Sequence, residues 1–139
     1  MPTVPEALTQ FREGTMDSLF TGQSSELVPM KTYYDPKDLK RFGQIAEWDG
    51  PLAEKFFDWY GAVFAEGALT AREKAFIALG VAHAVQCPYC IDAYTQDLLE
   101  RGASKEEMME AVHVAGAIRG GASLVHGVQM MGKVNQMEM

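Results

Sequence analysis

Two cysteines, Cys87 and Cys90, stand three positions apart with Pro88 and Tyr89 between them. A pair this close closes a loop too small to staple a fold, so in a reducing compartment it points to redox or metal chemistry rather than structural work. The thiolate is the reactive form of cysteine, and the unpaired amides of a helix N-terminus stabilise it. Pro88 suits the first turn of a helix, which puts Cys87 at the N-cap and both sulfurs on one face. A disulfide there forms and breaks with little backbone movement. Two other readings stand beside this one. The thiols could simply pack an Ala-rich interior. They could also join His83 and either His113 or His126 in a zinc site, which is disfavoured because only three of those four ligands are near in sequence. No metal is expected.

A thiol that cleaves a peroxide needs a group to hold the thiolate and a proton donor for the leaving oxygen. His83, one turn before Cys87, projects near the thiols if its helix persists that far; the alternative is a core histidine with a satisfied hydrogen bond. Glu73 is a candidate supporting carboxylate, although Thr70-Ala71-Arg72-Glu73 also has the form of a capping box. Tyr94 lies one turn after Cys90, where its phenol could donate to a sulfur or a bound peroxide, or merely pack. His113 and His126 sit in apolar settings and read as core. The nine methionines read as core filling.

Positioning these groups falls to helices. Residues 5–20 place Leu8, Phe11, Met16 and Leu19 at helical spacing, an N-terminal arm followed by a polar linker, with a domain boundary near residue 30. The main domain, residues 31–139, reads as all-α. A first helix should run from the Asp35 cap and Pro36 to about Trp48, with Asp49-Gly50-Pro51 as the break. A second, carrying Leu52, Phe56, Phe57, Tyr60 and Phe64, should supply much of the core and end near Glu66-Gly67. The third starts at the Thr70 box; it is apolar nearly all round from Phe76 to Val85, so it should be central and buried on most sides. The fourth spans about Pro88 to Arg101 and ends at Gly102. A box at Ser104-Glu107 opens a fifth, which Gly120-Gly121 should stop or kink, and a last helix starts near Ala122. No stretch alternates long enough to predict a strand.

Length and charge set the outer bounds. At 139 residues, 47% hydrophobic and 22% charged, the chain suits one ordinary globular domain. Twelve basic against nineteen acidic residues give a net charge of -7 with no basic stripe, which disfavours nucleic acid and anionic lipid as partners. The apolar stretch from Phe76 to Val85 is too short to span a bilayer, and the N-terminus lacks the form of a secretory signal. A cytoplasmic location is expected.

Several of these segments together resemble the carboxymuconolactone decarboxylase superfamily: Glu73-Lys74-Ala75-Phe76-Ile77-Ala78-Leu79, Cys87-Pro88-Tyr89-Cys90-Ile91, Gly102-Ala103-Ser104 and Gly120-Gly121-Ala122. The match covers about residues 40–131 and is most similar to the AhpD-type alkylhydroperoxidases. The tract Cys-Pro-Tyr-Cys-Ile-Asp-Ala-Tyr also resembles peroxidase-like proteins associated with arsenosugar biosynthesis. The resemblance implies an all-helical fold, assembly as a homo-oligomeric trimer or hexamer, and no cofactor. It further implies that Cys90 attacks a hydroperoxide and becomes the sulfenic acid, that Cys87 donates a proton and resolves it to the disulfide, and that a separate thiol or dithiol reductant restores the pair. Helix-dipole reasoning instead favours Cys87 as the lower-pKa thiol, so the division of labour stays open. Two positions depart from the family pattern: Tyr94 stands where a histidine is usual, and Ala75 where a glutamate is. His83 and Glu73 are the expected replacements for that relay. A thiol-disulfide reductase for a partner protein and a non-catalytic oligomer that binds a small ligand are the alternatives.

Overall fold

Six α-helices and one 3-10 segment make up the described part of the chain, residues 33–139 of the computed structural model. In order they are α1 (Pro36–Lys40), the 3-10 segment (Phe42–Glu47), α2 (Gly50–Phe64), α3 (Ala71–Val85), α4 (Pro88–Glu100), α5 (Lys105–Val125) and α6 (Gly127–Met137). Residues 34–139 form one compact unit. The expected N-terminal helix, its linker and the boundary near residue 30 lie outside the described residues. No strand occurs among the described residues, and no helix among them is long and apolar enough to cross a membrane.

Local chemistry sets the helix starts. The Asp35 carboxylate accepts from the Lys37 amide, and Asp49 from that of Leu52. Thr70 and Ser104 each complete a reciprocal box: the Glu73 and Glu107 amides donate to the hydroxyls, and the glutamate carboxylates accept the Thr70 and Ser104 amides at 2.7 and 2.8 Å. Glu107 also accepts from Arg72 at 2.7 Å, which ties the starts of α3 and α5 together. Arg119 on α5 reaches back to the Ala84 carbonyl on α3 at 2.8 Å.

Four expectations are corrected. The helix from Asp35 does not reach Trp48: the chain leaves α geometry at Arg41 and tightens into 3-10 turns. That change sets the Phe42 ring edge-on to Phe56 and Phe57 at 6.0 and 5.1 Å, and Gly43 offers little helical preference to oppose it. Gly120-Gly121 does not stop α5, which continues to Val125. Two glycines inside a long cooperative helix cost only about 1 kcal/mol each relative to alanine. The break comes at His126, and Gly127 opens α6.

The core is also thinner than expected. Its centre is Ala75, Leu79, Leu98 and Ala103, with Phe76, Tyr94, Met108 and Ala111 packed around them. Helix α2 contributes only Ala53 to the fully buried set, its aromatic rings being partly exposed. Helix α3 is central, between α4 and α5, yet Ile77, Val81 and Val85 remain 54%, 53% and 65% exposed. Neighbouring helices cover two of its sides and leave the third open.

Candidate functional site

The site begins with how α3 ends. The Gln86 amide donates to the His83 carbonyl and the Cys87 amide to that of Ala82, at 3.3 and 3.0 Å, the paired bonds of a Schellman stop. Such a stop needs a left-handed residue, and Gln86 supplies it with φ 57°, the one non-glycine residue among those described with positive φ. The same device ends α4, where Gly102 at φ 72° takes the left-handed position. The first turn delivers Cys87 in extended geometry to the N-cap of α4, with Pro88 directly after it.

Cys87 and Cys90 are joined as a disulfide, with Cα atoms 5.3 Å apart. The Cys90 amide donates to the Cys87 sulfur at 3.3 Å, so Cys87 holds the place an N-cap oxygen usually fills. In the reduced protein that amide and the helix dipole favour negative charge on Cys87. Both cysteines are partly exposed.

Two open cavities meet at the pair. The larger, about 690 Å³, is lined by both cysteines together with Asp38, Tyr89 and Asp97. The second, about 470 Å³, is reached by Cys90 but not by Cys87. Tyr60 and Tyr94 line both. Their hydroxyls are hydrogen-bonded to each other across α2 and α4, and the Tyr94 ring stacks on Phe64 at 5.3 Å. Burial, then the bond to Tyr60, then the charge of Asp97 push the Tyr94 phenol well above the usual tyrosine value. At neutral pH it can donate a proton or hydrogen bond but cannot act as a base. Tyr89, its hydroxyl donating to Asp38 at 3.3 Å, is also raised, first by desolvation and then by that carboxylate.

The five residues singled out from the sequence divide into two groups. Cys87, Cys90 and Tyr94 come together on one cavity wall. His83 and Glu73 line neither cavity. The His83 Nδ1 lies 2.9 Å from the Leu79 carbonyl; since a carbonyl only accepts, that nitrogen carries the proton. The Glu73 carboxylate is engaged by the Thr70 amide and hydroxyl, which in that order hold it below the usual carboxylate range. Sequence reasoning overlooked two residues. The sequence alone presents Tyr60 as part of an apolar helix face and Lys74 as part of a motif. No group of three or more His, Cys, Asp or Glu side chains among the described residues is placed to hold a metal ion.

Residues 50–131 match the model of the carboxymuconolactone decarboxylase family. The chain is 33% identical over 103 residues to "uncharacterized protein 4 in cox locus" of Paracoccus denitrificans, covering 74% of this chain and 93% of that protein. Similar crystal structures include the following two. A structural-genomics protein from Methanobacterium thermoautotrophicum superposes with a TM-score of 0.60 at 34% identity, over 62% of this chain and 97% of its own. A carboxymuconolactone decarboxylase family protein from Legionella pneumophila superposes with a TM-score of 0.56 at 31% identity, over 67% and 84%.

Proposed function

This chain belongs to the carboxymuconolactone decarboxylase family, and from that premise we propose that it is a disulfide-cycling thiol peroxidase. The observation that carries this reading is a Cys-x-x-Cys pair closed at the N-terminus of α4, both cysteines on the wall of one cavity and Cys90 also on a second, beside Tyr94.

In the first step the Cys90 thiolate attacks a hydroperoxide oxygen. The O–O bond breaks, the sulfur becomes a sulfenic acid, and the departing alkoxide takes a proton from Tyr94, which regains one from solvent. The Cys87 thiol then attacks the sulfenic sulfur, releasing water and forming the disulfide. A thiol or dithiol reductant restores both thiols by exchange. No organic cofactor takes part. Cys90 is assigned the attack because it alone of the pair reaches both cavities.

The protein acts as a homo-oligomer in this reading. Ile118, Leu124, Val125, Val128 and Met131 on α5 and α6 are all exposed, an apolar surface that association with further copies would cover.

The test mixes reduced protein with stoichiometric cumene hydroperoxide and follows free thiols, beside Cys87→Ser and Cys90→Ser variants. The expected result is rapid loss of both thiols, with a sulfenic acid trapped in Cys87→Ser alone. Loss no faster than for a free thiol discards the peroxidase reading in favour of a thiol-disulfide reductase.

A further inference from the structure

Among the described residues, Lys74 on α3 is the one charged residue lining the second cavity. Its ammonium donates to the Val63 carbonyl at 2.7 Å and to that of Ala65, at the C-terminal end of α2. An ammonium carries three N–H donors, and no acceptor among the described residues takes the third. Capping α2 therefore accounts for two of the three donors, and the Lys74 side chain also lines the cavity.

The rest of that wall is apolar, with Leu69, Ile77, Val81 and Val85 prominent, and Cys90 stands on it together with the Tyr60–Tyr94 pair. The first cavity has the opposite character, carrying Asp38 and Asp97. In a protein of net charge -7 a local cation favours the settling of an anion, and the first cavity offers only Asp38 and Asp97, already paired with Arg41 and Arg101. The volume, about 470 Å³, lies within the range of small-ligand sites.

We infer that the second cavity binds hydroperoxides that carry a carboxylate on an apolar chain, the carboxylate on Lys74 and the peroxide end towards Cys90. This rests on the peroxidase reading for its chemistry, though not for the binding of the anion. Lys74 is a specificity residue: it selects the acid over its ester and leaves the sulfur chemistry itself unchanged.

The test measures binding of octanoate and of octanol to the disulfide form by calorimetry, with Lys74→Met and Lys74→Arg beside the wild type. Wild-type protein should bind octanoate at least about tenfold more tightly than octanol, the scale of one charge-assisted hydrogen bond. Lys74→Met should bring the two to parity with octanol unaffected, and Lys74→Arg should keep the preference. If Lys74→Met loses both ligands, its cavity has collapsed and Lys74→Gln, which keeps a capping N–H without the charge, carries the test: parity supports the inference and a surviving preference overturns it. Equal binding of octanoate and octanol by wild type, or a preference that survives Lys74→Met, overturns the inference. Turnover of a hydroperoxy fatty acid against its methyl ester supplies the second readout, with kcat/KM favouring the acid in wild type and not in Lys74→Met. Octanoate preference without thiol oxidation by cumene hydroperoxide rejects the peroxidase reading and leaves the anion site standing; thiol oxidation without that preference does the reverse.

Discussion

The hydroxyl of Tyr94 on α4 is hydrogen-bonded to that of Tyr60 on α2, one turn along α4 from Cys90 and on the wall both cavities share. This pair puts a phenol at the position where the resemblance to AhpD-type proteins implies a histidine. Tyr94→Phe keeps the stack on Phe64 and removes only the hydroxyl. It should slow peroxide-driven thiol oxidation by about 100-fold or more, as expected for loss of a general acid. Stability should fall by no more than about 1.5 kcal/mol. Stopped-flow thiol kinetics beside urea unfolding checks both, and an unchanged rate removes Tyr94 from the mechanism.

Alkaline pH tests the same phenol through stability. Its folded pKa is raised above the unfolded value, so the folded state holds the proton more tightly. The contribution is complete below the unfolded value of about 10 and is lost as pH rises through the folded one. Urea midpoints measured upward from pH 9 should fall more steeply in wild type than in Tyr94→Phe. Parallel curves would show that the phenol titrates alike in both states.

Glu73 should prove to be a cap. Glu73→Gln keeps the form of the box and should leave the peroxidase rate within about twofold of wild type, whereas Glu73→Ala should lower the melting temperature. A large rate loss in Glu73→Gln would restore it as a participant. On the acid side Glu73 and Glu107 are both depressed, Glu73 first by the Thr70 amide and Glu107 first by Arg72. Their contribution is present above the unfolded value of about 4.3 and lost as pH falls through the folded ones. Glu73→Gln should therefore flatten the loss of stability below that pH.

His83→Gln asks whether the relay moved to α3. With Nδ1 bonded to the Leu79 carbonyl and the ring absent from both cavity walls, the variant should retain the wild-type rate of thiol oxidation within about twofold. A drop of tenfold or more, with the helical circular dichroism signal intact, would return His83 to the site.

The two left-handed turns that bracket α4 predict opposite substitutions. Gly102→Ala places a side chain in open space but at φ 72°, and should cost about 1 kcal/mol. Gln86→Gly relieves the same strain while raising unfolded-chain entropy, a net gain of up to about 1 kcal/mol. Thermal unfolding of both variants decides the matter, and a destabilised Gln86→Gly would mean that its side chain has a role beyond the turn.

What the sequence by itself determined was local. The dithiol at an N-cap, the boxes at Thr70 and Ser104, and the stop at Gly102 rest on bonds spanning three to five residues, so residue type and spacing suffice to read them. The family was legible in the same way, because its motifs are short and ordered, and the match over residues 50–131 agrees. Tertiary packing decided the rest. Tyr60 meets Tyr94 across 34 positions, and Lys74 turns back to carbonyls 11 and 9 residues earlier, contacts that exist only once α2, α3 and α4 are laid together. Packing also ended the first helix at Arg41, where aromatic rings outbid the next helical turn, and left one face of α3 open although its composition promised burial. Periodicity shows that a helix has an apolar side; which neighbours cover that side depends on where the other helices lie.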